Sequence, residues 1–141
     1  MSYHGTPVSY LEKGDPYFCF CSQTSRLVGE LLNLPENTLV TTFQSRFGKA
    51  KWLQPYTSAV LQQLAGDGIK HVAVICPGFS VDCLETLEEI AVENRDYFLE
   101  AGGNTYHYIP CLNDSDSHIQ LMADLVQGPV TSVALPLEKT E

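Results

Sequence analysis

Residues 76–103 read CPGFSVDCLETLEEIAVENRDYFLEAGG, and the rest of the chain is arranged around them. The stretch starts as a strand end, turns at Pro77-Gly78, and then has the pattern of a helix from about Asp82 to Glu100. At 100° per residue, Asp82, Glu85, Glu89, Glu93, Asp96 and Glu100 fall on one stripe roughly 80° wide, with Arg95 well off it. Stacked like charges at this spacing destabilise a helix by a few tenths of a kcal/mol per pair, so the row asks for a reason, and a cation is the obvious candidate. A plainer reading stands beside it. Asp82-x-x-Glu85 is a capping-box pattern, with Asp82 as N-cap and Glu85 reaching back to its backbone N–H. The remaining acids then form a solvated face opposite Leu84, Leu87, Ile90, Ala91 and Phe98.

Upstream, Ser2-Tyr3-His4 reads as the tail of a strand, with His4 at its carboxyl end. Asp15-Pro16 starts a helix that continues to about Leu32. Leu39–Ser45 is short and β-branched, a second strand. A loop from Arg46 to Gln54 carries the single tryptophan, Trp52, and a helix follows from Pro55 to Ala65. His71–Cys76 is a continuous apolar run, as expected of a strand buried on both faces. Downstream come a fourth strand, Thr105–Cys111, and a helix near Asp116–Gln127. This alternation predicts one four-stranded parallel sheet flanked by helices on both faces, a three-layer α/β/α unit of the flavodoxin or Rossmann kind, over residues 1–128, with a tail at 129–141.

At 141 residues and 44% hydrophobic content the chain is one globular domain. A net charge of −9 argues against nucleic-acid and anionic-membrane partners. No apolar run approaches the length of a membrane span and no leader is visible. Five irregularly spaced cysteines are expected to be reduced and structural, which fits a cytoplasmic setting.

In folds of this class, ligands sit outside the carboxyl ends of the strands. His4, Gln44-Ser45, Cys76–Phe79 and Cys111–Asn113 gather there. No nucleotide-binding glycine loop and no serine elbow is present, so nucleotide is not expected. What remains is His4 paired with Glu85 and backed by Asp82, Glu89 and Glu93. An imidazole binds a divalent metal or takes a proton near neutral pH, and a glutamate at a helix N-terminus stays ionised. His71 and His107 read as structural, and His118 is ambiguous. Trp52 and Phe79 are equally suited to the core and to contact with a flat apolar ligand.

CPGFSVDCLETLEEI, NRDYFLEAGG and YIPCLN, together with SYHGTP, KGDPY and the segment FQSRFG-x-x-x-WLQPYT, closely resemble the C-terminal half of bacterial ferrochelatase, a class I chelatase-like fold, from Ser2 to about Val126. The resemblance implies insertion of ferrous iron, as substrate, into protoporphyrin IX, the last step of haem synthesis. It implies that His4 is the active-site histidine and Glu85 its paired carboxylate, one binding metal and the other taking pyrrole protons in an order the sequence leaves open. It further implies that Asp82, Glu89 and Glu93 lead metal or protons to the site, and that Trp52, Phe79, Gln44 and Ser45 lie along the macrocycle. No iron–sulfur cluster is expected.

The same resemblance implies a second α/β domain forming the other wall of the cleft, and an apolar strand before Ser2 that Met1 cuts short. The chain is therefore expected to be a fragment, a gene product with a start placed too late, or half of a split protein, completed by an N-terminal domain. The alternatives are a small homodimeric chelatase, in which a second copy supplies the wall, and a non-catalytic metal- or porphyrin-binding half-domain.

Overall fold

The computed structural model describes residues 1–130. The elements in order are β1 (Ser2–His4), α1 (Val8–Glu12), α2 (Tyr17–Leu31), β2 (Thr42–Gln44), α3 (Thr57–Gly66), β3 (His71–Ile75), a π-helix (Glu85–Asn94), α4 (Arg95–Glu100), β4 (Thr105–Ile109) and α5 (Asp116–Val130). They form two compact units, Met1–Cys111 and one beginning at Leu112. The backbone of residues 129–130 closes α5, and the rest of the expected tail lies outside the described residues.

Parallel strands alternating with helices are present as expected, but not as one sheet. β1 pairs with β2 through Ser2↔Thr42, Tyr3↔Phe43 and His4↔Gln44. β3 pairs with β4 from His71↔Thr105 to Ile75↔Ile109. No ladder joins the two pairs among the described residues. The three residues of β1 are all paired with β2, and the space beside β3 is a cavity of about 710 Å³ whose lining includes Met1, Val40, Val60, Leu64, Val72 and Ile109. β3 is accordingly not buried on both faces. Val74 is buried, while His71 and Ala73 are exposed.

Each pair has its own core. Tyr3, Cys21, Phe43 and Leu53 pack together against Phe18 and Tyr17. Leu61, Ala65, Val74, Cys76, Ile90 and Phe98 form the other cluster, backed by Phe79 and Tyr106. Side chains join what backbone does not. Ser2 Oγ donates to Gln44 Oε1 (2.7 Å) and lies 2.8 Å from Thr57 Oγ1, and the Cys76 thiol donates to the same Gln44 oxygen at 3.4 Å. Thr57 Oγ1 also meets Thr42 Oγ1 at 2.9 Å. Every member of this hub is buried, so its polar groups must satisfy one another.

The long acidic helix is π-wound over Glu85–Asn94 and α-helical only from Arg95. A π-helix bonds i to i+5 and so turns by roughly 82° per residue instead of 100°. That winding reassigns its faces. Thr86, Ile90 and Asn94 form the buried line, whereas Leu84 (74% exposed) and Leu87 (51% exposed), expected on the apolar side, face outward. The acids Glu85, Glu89 and Glu93 run one residue ahead of the buried line. They border the core, which is not where an acidic face opposite it would stand.

The expected capping box is also shifted by one residue. Thr86 Oγ1 accepts from Cys83 N–H (2.9 Å) and donates to Asp82 Oδ1 (3.0 Å). Thr86, at the head of the buried line, is the residue that points back to Cys83, while the Glu85 carboxyl bonds its own backbone N–H and the Cys83 thiol. At the other end, Asn94 Nδ2 donates to the carbonyl of Glu89 (2.7 Å), and Asn94 Oδ1 is buried with no partner among the described residues.

In the unit beginning at Leu112, His118 Nδ1 lies 2.6 Å from the carbonyl of Asn113, ahead of the bulk of α5. This resolves the ambiguous histidine as one that holds its own helix start.

Candidate active site

His4 ends β1, and its ring is held by the chain that follows. Nδ1 lies 2.6 Å from the Gly5 carbonyl. A carbonyl oxygen can only accept, so Nδ1 carries the hydrogen, and in the neutral ring Nε2 presents its lone pair. The main chain beneath is fixed by Tyr17, whose hydroxyl donates to the His4 carbonyl (2.9 Å). Phe79 stands beside the imidazole, ring centroids 6.3 Å apart and tilted by 48°.

Glu85 begins the π-helix. Its carboxyl is held below the ordinary glutamate range, first by a bond to its own backbone N–H, then by the Cys83 thiol, with the charge of His4 adding a smaller pull in the same direction. The two groups therefore act on each other electrostatically. From behind, Gln44 Nε2 donates to the Glu85 carbonyl at 2.7 Å.

Glu89, one turn on, is gripped from the end of β2. Ser45 N–H and Ser45 Oγ–H donate to its two carboxylate oxygens at 2.7 and 2.5 Å. Ser45 adopts φ +62°, a left-handed conformation rare for serine, which turns the amide and the hydroxyl toward the same partner. Glu93, a further turn on, is exposed. Glu85, Glu89 and Glu93 thus run from the half-buried rim out to solvent.

Asp82 plays another part. Its Oδ1 accepts from Tyr108 Oη (2.5 Å), Thr86 Oγ1 (3.0 Å) and Cys111 N (3.3 Å), tying the entrance of the π-helix to the end of β4. Asp96 pairs with Arg95 at 2.8 Å and stands outside the site. Trp52 is half-buried, with Nε1 donating to Phe47 O (2.8 Å) and its ring against Gly5. A Cβ on Gly5 would lie 2.9 Å from Gln44 O and 3.2 Å from Trp52 Cε3, so only glycine lets the His4 segment, β2 and the indole meet.

The structure thus brings His4, Phe79, Glu85 and Glu89 to one rim and sets Trp52 beside it. Gln44 is 4% exposed, with its amide bonded inward, and supports Glu85 from beneath. Ser45 holds Glu89. The supporting side chains Ser2, Thr57 and Tyr108 were not singled out in the sequence, whereas Cys76 was placed at the strand ends and here backs Gln44. The visible cue for Ser2 was a polar residue in a strand expected to be central. Among the described residues no three of His, Cys, Asp and Glu converge as a site that could hold a metal ion. No helix there is long and apolar enough to cross a membrane.

The end of β1 thus carries an imidazole held by its own backbone, within electrostatic reach of a helix that carries Glu85, Glu89 and Glu93. The family model for ferrochelatase matches residues 1–129. The chain is 57% identical to a ferrochelatase of Teredinibacter turnerae over 126 residues, covering 89% of this chain and 34% of the relative. It is 54% identical to a ferrochelatase of Marinobacter nauticus, covering 96% and 37%, and 58% identical to ferrochelatase 2 of Shewanella oneidensis, covering 90% and 39%. The chain belongs to the ferrochelatase family. It spans little more than a third of the length of these relatives.

Proposed function

We propose that this chain forms the catalytic wall of a ferrochelatase, inserting Fe²⁺ into protoporphyrin IX to give protohaem and two protons. The observation that carries this reading is an imidazole whose Nδ1 is taken up by the Gly5 carbonyl, together with a Glu85 carboxyl that is held in its ionised form and feels the charge of that histidine. Metallation removes two pyrrole protons from one face of the ring and brings a desolvating cation to it. The Nε2 lone pair and the Glu85 carboxylate are the acceptors for these tasks. Glu93 and Glu89 lead from solvent to that pair, and oxygen ligands of this kind hold a divalent cation weakly enough to release it to four ring nitrogens. Phe79 and Trp52 supply apolar surface for the macrocycle.

The opposite wall comes from the remainder of a ferrochelatase-length polypeptide, and the setting is cytoplasmic, in keeping with five free cysteines. A chimera tests the reading. Residues 1–129 replace the matching segment of the Teredinibacter turnerae relative, and haem formation is followed anaerobically by loss of porphyrin fluorescence. The chimera should form haem, and its His4→Ala and Glu85→Gln forms should fall by at least a hundredfold. Near-normal turnover in either variant would sink the assignment. Sedimentation of the 141-residue chain identifies a self-supplied wall by a dimer that inserts iron unaided.

A further inference from the structure

Two of the five cysteines meet at Asp82. Cys83 follows it in the chain, and Cys111 donates its backbone N–H to Asp82 Oδ1 at 3.3 Å. Thr86 Oγ1 closes the other side, accepting from Cys83 N–H (2.9 Å) and donating to the same carboxylate oxygen (3.0 Å). Both thiols therefore hang from one hydrogen-bonded knot between the start of the π-helix and the end of β4. Cys111 Sγ lies 3.7 Å from Tyr108 Oη, whose hydrogen goes to Asp82. Burial raises the Cys111 thiol first, and the charges of Asp82 and Cys83 add to the rise, so the two cysteines act on each other electrostatically.

The remaining cysteines are placed differently. Cys19 and Cys21 stand two apart on α2, where side chains point to opposite sides, and one is exposed while the other is buried. Cys76 also acts on Cys111, but it is 2% exposed and its thiol is committed to Gln44. Cys83 and Cys111 are both half-buried, within reach of a small solute. Both lie in irregular backbone, outside the π-helix and β4, which can turn to the geometry a disulfide needs. The Cys83 thiol donates to the Glu85 carboxyl, so a change at this sulfur is felt at the rim.

We propose that Cys83 and Cys111 form a redox-active dithiol, closed to a disulfide by hydrogen peroxide, and that closure withdraws the Cys83 thiol from Glu85. One thiolate attacks the peroxide, the O–O bond breaks, and the departing oxygen leaves as water. The second sulfur then attacks the resulting sulfenic acid, the S–O bond breaks, and another water leaves. Both sulfurs are oxidised and the peroxide is reduced. The hydrogen that Glu85 accepted from Cys83 is gone, and the entrance of the π-helix is tied covalently to β4. The effect on turnover rests on the ferrochelatase reading above, whereas the disulfide itself does not. Disulfides inside the cytoplasm are mostly transient sensing bonds, and this one arrests iron insertion while peroxide is present.

The test treats the full 141-residue chain with hydrogen peroxide, alkylates the remaining thiols and maps the peptides without reduction. The expected product is a peptide pair joined through Cys83 and Cys111 and released by dithiothreitol. A Cys76–Cys111 link, or no link while either thiol takes up oxygen alone, overturns the proposal. The same treatment of the chimera, with peroxide removed before assay, should lower porphyrin metallation by about tenfold, and dithiothreitol should restore it. The Cys111→Ser chimera should keep its basal activity and form no link. Its Cys83 should run on to sulfinic acid, with a loss that dithiothreitol does not reverse. Full activity in a chimera shown to carry the link overturns the withdrawal from Glu85. A chimera inactive even when reduced overturns the ferrochelatase reading, and the peptide map still decides the dithiol.

Discussion

Gln44 Nε2 donates to the carbonyl of Glu85 at 2.7 Å, and this contact is where the β1–β2 pair supports the first turn of the π-helix. The other end of the same amide accepts from Ser2 and Cys76. Gln44→Leu keeps the volume but strands three polar groups in a buried place. It should lose about 2–3 kcal/mol of stability in a urea titration. It should also weaken porphyrin metallation in the chimera beyond what the stability loss explains, because Glu85 loses its backing.

Glu85 makes a statement about acid. Its folded-state value lies below that of the unfolded chain, so its contribution to stability is present above the ordinary glutamate range and is lost as pH falls through the folded value. Glu85→Gln removes that contribution. Thermal melts of the two proteins should converge as pH drops below about 4 and differ by a constant amount at neutral pH.

Tyrosine makes the opposite statement about base. Burial, before any neighbour, pushes Tyr17, Tyr106 and Tyr108 above the usual phenol value. Their stabilisation is complete below about pH 10 and is lost as pH rises further toward the folded values. Burial raises Tyr3 in the same way, so absorbance at the phenolate band should show these four of the seven tyrosines ionising only together with unfolding.

Tyr108→Phe removes the 2.5 Å bond to Asp82 and leaves Thr86 and the Cys111 amide in place. The expected loss is about 1–2 kcal/mol by urea titration. Hydrogen exchange should rise first at the entrance of the π-helix, residues 83–87. Uniform loss of protection would show that Tyr108 merely packs.

Thiol reactivity separates the cysteines. Burial pushes the Cys76 thiol up to about 12, and the side chain is enclosed, whereas Cys19 is exposed. A disulfide reagent at pH 8 should modify Cys19 within minutes and Cys76 only after denaturation. Mass spectrometry of the quenched protein reads the order directly.

The strands, the main helices and the rim were legible because each left a local mark. Asp15-Pro16 announced α2, the apolar run announced β3, and His4, Phe79 and Glu85 stood at strand and helix ends where chemistry collects. The acidic stripe was visible too, but its geometry was not. An i→i+5 ladder leaves no pattern in side-chain type, so the sequence placed Leu84 and Leu87 inward, where the structure exposes both. Joining the two parallel pairs into one sheet was a reasonable deduction from alternation alone. The structure instead has two separate pairs with a cavity beside β3, which alternation of elements does not reveal. Helix α1 was missed because five residues after a proline carry too short a period to read. The grip of Ser45 on Glu89 depends on a left-handed serine, a conformation that composition does not announce.

The π-helix holds a surplus residue, and that surplus can be cut out. Deleting one exposed position between Thr86 and Ile90, such as Glu88, lets the segment relax to ordinary α geometry, with a tighter ladder and no widened turn for Asn94 to plug. The shortened protein should melt higher. It should also carry Glu85 out of line with either His4 or Glu89, since one residue swings a side chain by roughly 100° around an α-helix. Stability and the placing of Glu85 are thus set against each other along the π-wound turns.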